Sequence, residues 1–361
     1  MKIAIVGGGA SGVFAAIRIK ELHQNYDVTI FERSDKLMKK IYATGNGRCN
    51  FANSGAINCS YNDGFAYSIL NEFDHLKLDA YFNSIGIKSR KIDDLYYPYS
   101  LSAATVAEKM NCRVNDLGIK VVLNSKVDAY LSANELSVNG RKYNFDKIVF
   151  ACGGKSSPQL GSDGSIFPIL EEHGYRIEKL SPSLCPIKVK ENVNKLDGVR
   201  AKAKVTLISK NVEVYSETGE VQFRSDAISG IVIFNMAFMI NKLNLLPNET
   251  SFIIDFVPEI NEKIDSIEYT SYLNDKLSSY LLKNRLDIHK VKFTYKSFYG
   301  FENSQVTSGG VSLDNVSSSL ESKIEKGVYF IGEVLDIDGK CGGFNLMWAF
   351  ASAEKAAKSI C

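Results

Sequence analysis

Ile3-Ala-Ile-Val-Gly-Gly-Gly-Ala-Ser-Gly12 is the stretch that decides how this chain reads. Ile3 to Val6 is a short, wholly apolar run, as a buried parallel strand requires. Gly7, Gly9 and Gly12 follow at G-x-G-x-x-G spacing, and from Ser11 the apolar period becomes helical, with Val13, Phe14, Ile17 and Leu22 on one face. A strand that turns sharply into a helix aims the free N–H groups of Ala10, Ser11 and Gly12, and the positive dipole end, at whatever lies above the turn. Gly7 permits the tight turn, Gly9 admits a pyrophosphate to the backbone, and Gly12 lets helix and strand pack closely. Taken alone, the spacing also describes a glycine-rich surface loop. A second strand, Asp27 to Phe31, ends at Glu32, about 20 residues past the last glycine, where a ribose hydroxyl needs an acceptor. The stretch predicts a dinucleotide site at the opening of a doubly wound α/β sheet.

The bulk numbers narrow the class. A chain of 361 residues holds two domains, or one large domain with an insertion. Hydrophobic content of 45% and charged content of 23% are ordinary globular values. A net charge of +2 argues against gross attraction to nucleic acid or membrane. The seven cysteines (49, 59, 112, 152, 185, 341 and 361) are scattered and never form C-x-x-C, which points to reduced thiols in a cytoplasmic protein. The glycine loop begins six residues from Met1, so no signal peptide is expected. The longest apolar stretch, around Ile231 to Ile240, is short and is interrupted by Asn235, so no membrane span is expected.

Beyond Glu32 and Arg33, residues 36–53 are basic and then glycine-rich, with turn residues at Thr44, Asn46, Gly47 and Asn50. The segment reads as a loop covering the cofactor, its Lys39, Lys40 and Arg48 joined by many backbone donors. Helical pattern is expected over 65–85 and 103–117, with Tyr96, Tyr97, Pro98 and Tyr99 as an aromatic turn, either core or pocket wall. Strands are expected over 119–123, 126–131 and 135–145, the last with an Asn139-Gly140 turn. Lys147 to Cys152 is a buried-type strand ending in Gly153-Gly154, and a helix over 165–173 should follow. Residues 186–257 alternate in the β manner and about 260–290 reads helical. Gly327 to Gly332 is a late buried strand, and an apolar helix runs over 346–357.

Four landmarks stand in order: the glycine loop, Ala43-Thr-Gly-Asn-Gly-Arg-Cys-Asn50, Ala151-Cys-Gly-Gly154, and Gly332-Glu-Val-Leu-Asp336 with Gly342-Gly-Phe-Asn-Leu346. With Gly219-Glu-Val-Gln-Phe223, Ile228-Ser-Gly230 and Thr307-Ser-Gly-Gly-Val311, they resemble the BaiN/YhiN-type family of bacterial NAD(P)/FAD-dependent oxidoreductases over nearly the whole chain. The resemblance implies a Rossmann-like, glutathione-reductase-type FAD-binding domain (1–185 and 307–361) interrupted by a β-rich insert with a small helical part (186–306). It implies that Glu32 holds the adenosine ribose, that Val127 meets the adenine edge through its backbone, and that loop 44–50, Gly45 included, lines the flavin. Asp336 and the turn at Gly343, Phe344, Asn345 and Leu346 would bind the ribityl chain and isoalloxazine, with Gly332 closing the approach and Glu333 a further cofactor-binding residue. Ala52, Cys152 and Met347 depart from the usual pattern, which bears on the substrate pocket.

The chemistry expected is flavin redox chemistry. The four histidines (23, 75, 173 and 289) lie away from the landmarks, and no metal-ligand cluster is evident. Cys49 is the reactive side chain inside a flavin-side motif. Arg48 beside it would favour a thiolate, and Cys49 is read either as a proton donor or as a small packing residue. No second G-x-G-x-x-G exists for a bound nicotinamide, so NAD(P)H would visit transiently, or oxygen would serve as acceptor. The leading expectation is NAD(P)H-driven reduction of a conjugated C=C bond in a small molecule, with the insert governing substrate access. Alternatives implied by the resemblance are reduction of uridine in ribosomal RNA, with Arg200, Lys202, Lys204 and Lys210 as a basic face, and oxidation of a small amine or amino acid. A flavin-binding sensor is the non-enzymatic reading, and oligomeric state is left open.

Overall fold

The computed structural model of the chain describes residues 1–55 and 60–360, so Cys59 and Cys361 lie outside the described residues. Two compact units form: Met1–Leu180 with Val306–Cys361, and Ser181–Gln305. The chain leaves the first through Ile177–Ser183 and returns through Val306–Val311, which pair as a two-stranded sheet.

The first unit is built on a five-stranded parallel sheet in the order Val328–Phe330, Lys147–Phe150, Lys2–Val6, Asp27–Phe31, Lys120–Val122. These strands are apolar almost throughout because helices and loops cover both faces. Helix Ala10–Leu22 makes the first crossover and buries Val13, Phe14 and Ile17. Leu22, expected on that face, is exposed, because it closes the helix where the chain turns away at His23. The long C-terminal helix, Phe344–Ser359, packs against helix Ala10–Leu22, and Arg18 bonds Glu354 across the pair at 2.7 Å.

Local differences from expectation have identifiable causes. The helical pattern over 65–85 divides into Phe65–Leu70, which ends at Asn71, and His75–Ser84, which Asp74 caps by accepting from Lys77 N at 2.9 Å. Tyr96 and Tyr97 are not in a turn: Leu95–Pro98 is a strand between Ala52–Asn53 and Ser89–Ile92, and both tyrosines are buried. The loop at 41–47 takes up a short 3-10 turn, kinked at Thr44, Gly45 and Asn46.

The second unit is a closed antiparallel barrel of six strands, ordered Ile187–Val189, Ala227–Ser229, Val212–Phe223, Arg200–Ser209, Thr250–Asp255, Val291–Phe298. Two features depart from the β-rich then helical reading. Ile231–Lys242 is a helix inside the supposedly β-rich stretch, and it buries Val232, Ile233, Asn235, Met236 and Ile240. The small helices Tyr269–Tyr272 and Asp275–Lys283 precede a strand, Val291–Phe298, whose pairing with Ile187–Val189 closes the barrel. No described helix is long and apolar enough to cross a membrane.

Candidate functional site

The C-terminal ends of the parallel strands carry the loops that matter, the usual place for a ligand in an open α/β sheet. At the first, Gly7 has φ +109°, and a Cβ there would overlap the carbonyl of Ala151. A Cβ on Gly12 would overlap the carbonyl of Gly7. Gly9 differs: it begins helix Ala10–Leu22 with no side-chain cap, and a Cβ built on it meets nothing within 4 Å. The helix N-terminus, with the N–H groups of Ala10 and Ser11, therefore faces open space of the kind a phosphate needs.

Glu32 stands at the lip of this turn, nearly buried. Its two oxygens accept from Gly8 N and Ser34 N, both at 2.7 Å, and each oxygen keeps a lone pair for a ribose hydroxyl. The loop 153–164 comes up beside it. A Cβ on Gly161 would press on the Ser34 hydroxyl at 2.8 Å, and Arg33 forms an ion pair with Asp163. Burial raises the Asp163 carboxyl, but Arg33 and Ser165 outweigh that and hold it at about 2. Val127 opens the strand Val127–Ser132, its side chain in the core and its backbone paired to Val138.

The other half of the site is made by residues 40–53 and 332–346. Lys40 Nζ donates to Glu333 Oε2 at 2.9 Å, and the other Glu333 oxygen accepts from Thr307 N at 2.8 Å. Gly154 approaches this carboxylate so closely that a Cβ would stand 3.0 Å from Oε1. Gly332 lies at φ +70°; its N–H donates to Ser352 Oγ and its carbonyl accepts from Trp348 Nε1, at 3.0 and 3.1 Å. Gly343 begins the C-terminal helix at φ +90° with no side-chain cap. A Cβ there would sit 2.7 Å from both Ala52 O and the Asn50 side-chain amide. With its amide turned to satisfy its neighbours, Asn50 accepts from Gly343 N at 3.2 Å and donates to Ala52 O at 3.0 Å. Asn345 closes its own loop, bonding both N and O of Gly339, while Phe344 packs edge-on to Tyr61.

Cys49 needs correction. It lies at φ +57°, fully buried among apolar side chains, and burial pushes its thiol up to about 12, only partly offset by Thr44. Burial opposes the thiolate expected from Arg48, and the Arg48 guanidinium lies over the ring of Tyr97 at 5.5 Å. Iodoacetamide at pH 8 should therefore label the exposed Cys112 and spare Cys49 in the native protein, as read by peptide mass spectrometry. Early modification of Cys49 would contradict its burial.

Residues that the sequence did not single out lie among these loops: Asn53, whose Nδ2 donates to Gly342 O at 2.7 Å, Trp348, Ser352, Asp163 and Asn62. The histidines stay elsewhere, His173 near Glu325 and His289 on Asp255. Among the described residues no group of side chains could hold a metal. Two helix N-termini without side-chain caps, at Gly9 and Gly343, and turns at Gly7, Gly12 and Gly343 that admit no Cβ fit a dinucleotide flavin, which these residues would hold.

Comparison with known proteins agrees. The family described as HI0933-like protein Rossmann domain matches residues 1–359. The chain is 31% identical to a 3-dehydro-bile acid delta(4,6)-reductase of Clostridium scindens, across 99% of this chain and 98% of that one. It is 28% identical to a ribosomal RNA dihydrouridine synthase of Haemophilus influenzae, across 99% and 97%. Two solved structures share the fold. An E. coli quinol fumarate reductase FrdA variant has TM-score 0.53 at 13% identity, covering 100% of this chain and 70% of the other. A 3-ketosteroid delta1-dehydrogenase from Sterolibacterium denitrificans has TM-score 0.52 at 11% identity, covering 99% and 98%. On the match that runs from residue 1 to residue 359, the chain belongs to the HI0933-like Rossmann family.

Proposed function

We propose that this FAD-dependent oxidoreductase reduces a conjugated carbon–carbon double bond in a small organic molecule, with NAD(P)H as the electron donor. The observation that carries the reading is the end-to-end similarity to a reductase that acts on unsaturated bile acids. FAD supplies hydride chemistry when bound; the chain's task is to hold it, exclude water and move protons. Glu32 anchors the adenosine end, and the Lys40–Glu333 pair fixes loop 40–50 against the loop after strand Val328–Phe330. No second glycine-rich nucleotide turn occurs among the described residues, in keeping with a nicotinamide that binds and leaves. All the groups assigned to FAD belong to the first unit, which leaves the barrel for substrate selection.

Cys49 is assigned to packing, because a proton donor must reach the substrate and this thiol is enclosed on all sides. An RNA substrate, as named for the second relative, would need an uncompensated cationic face. Arg200 instead faces Glu220 at 3.7 Å, Lys202 faces Glu259 at 3.4 Å and Lys210 faces Glu249 at 3.4 Å. Lys204 lies across the ladder from Asp255. The test is anaerobic spectroscopy of the holoprotein. NADH or NADPH should bleach the flavin, and a conjugated 3-oxo steroid acid should restore its colour. Bleaching by a small amine but by neither nicotinamide would replace the reductase with an oxidase.

A further inference from the structure

Residues 60–62 form a strap across the loop 336–344. Tyr61 makes an antiparallel bridge with Gly339, and its hydroxyl donates to Phe344 O at 2.7 Å. Lys340 N donates to Ser60 O at 2.9 Å. The densest contacts are those of Asn62. Its Nδ2 donates to both the backbone O and Oδ1 of Asp336, each at 3.2 Å. Its Oδ1 accepts from Asp338 N at 3.0 Å, and its own N donates to Asp338 O at 2.9 Å.

Asp336 is the carboxylate that this clamp serves. Its Oδ1 also accepts from Gly309 N at 3.0 Å, so one oxygen is doubly occupied. The other oxygen has no hydrogen-bond partner among the described residues. The group is half-buried, and burial, with Glu178 and Asp63 nearby, raises its carboxyl above the ordinary range despite the bonds from Gly309 and Asn62. A carboxylate with one oxygen pinned from two sides and the other left over is presented for a hydroxyl-bearing ligand.

We propose that Asn62 is a positioning residue for FAD, acting through Asp336, whose unengaged oxygen it holds toward the ribityl hydroxyls. This rests on the reading that FAD is the cofactor and that Asp336 meets its ribityl chain. Gly309 alone holds Oδ1 by a single bond, about which the carboxylate is free to turn. Asn62 adds a second, and ties the backbone on both sides of Ile337.

The experiment is a double-mutant cycle on FAD affinity, titrating apoprotein with FAD by fluorescence. N62A should weaken binding about tenfold, as for a hydrogen bond to a charged group, and D336A by at least as much. The double variant should bind within twofold of D336A. Should N62A not fold, N62D carries the test. It keeps an acceptor for Asp338 N but sets a second carboxylate against Asp336, so its FAD affinity should fall more at pH 8 than at pH 6, where a shared proton restores the donor. An N62A loss that persists undiminished in the D336A background overturns the proposal, as does an N62D loss independent of pH or an N62A protein that binds FAD normally. A wild-type protein that takes up no FAD defeats the cofactor reading itself, and this one with it.

Discussion

Gly12→Val should give a protein that melts about 6–12 °C lower and is purified without FAD. The cause is the contact of helix Ala10–Leu22 with the turn below it. A Cβ at Gly12 would overlap the Gly7 carbonyl and stand 3.1 Å from the Ala151 methyl. Neither neighbour can retreat. Gly7 N donates to Phe31 O at 2.9 Å, and Ala151 N donates to Val6 O at 2.8 Å, so both are fixed in the central sheet. The helix must lift instead. Overpacking of this kind costs about 3 kcal/mol, which in a unit of this size moves the midpoint by a few degrees per kcal/mol. Gly9→Ala provides the contrast. Its Cβ enters open space, so the melt should hardly move, while FAD is lost because a methyl group occupies the approach of the phosphate. Thermal melts and the flavin-to-protein absorbance ratio check both. A Gly12→Val protein that keeps its flavin and melts within 2 °C of wild type would sink this account, since about 2 °C is less than 1 kcal/mol.

Glu32→Ala should weaken FAD binding by about 1.5–3 kcal/mol, roughly 10- to 150-fold, as for a charged hydrogen bond lost. Part of any effect could arise in the protein alone, because Gly8 N and Ser34 N both lose their acceptor. Two controls separate the contributions. Glu32→Gln retains one acceptor oxygen and should recover stability more than affinity. FMN has no adenosine, so its binding should be nearly unchanged by either substitution. Titration of apoprotein with each flavin reads both. Equal losses for FMN and FAD would show that Glu32 shapes the loop without touching the ribose.

Much of the first unit is legible in the sequence because its signals are local. The run Ile3 to Val6, the glycines and the helical period from Ser11 each lie within about ten residues of one another, and strand Asp27–Phe31 follows at once. The barrel is less legible. Helix Ile231–Lys242 is apolar almost all round, so it lacks the one-sided period that marks a surface helix, and it lies between alternating strands. Strand Val291–Phe298 is hidden behind two short helices, although its alternation is plain once the barrel is known. The site divides in the same way. Glycines and Glu32 announce themselves by spacing. Asn62 and Asn53 do not, since their partners Asp336 and Gly342 lie 274 and 289 residues away, and one asparagine in a turn resembles any other. Cys49 shows the converse: it neighbours Arg48 in sequence, but its own left-handed backbone sits in the core, while the Arg48 guanidinium lies over the ring of Tyr97.

The closed barrel has a consequence for the order in which the chain matures on the ribosome. Its six strands all fall within Ser181–Gln305, so every pairing it needs is available once that segment has emerged. The first unit must wait. Strand Lys147–Phe150 gains its outer neighbour only when Val328–Phe330 appears, and helix Phe344–Ser359 comes later still. At about 5–20 residues per second, the stretch from 306 to 359 takes several seconds to synthesise. During that time an apolar parallel strand lies unpaired at its edge, the kind of surface on which nascent chains associate.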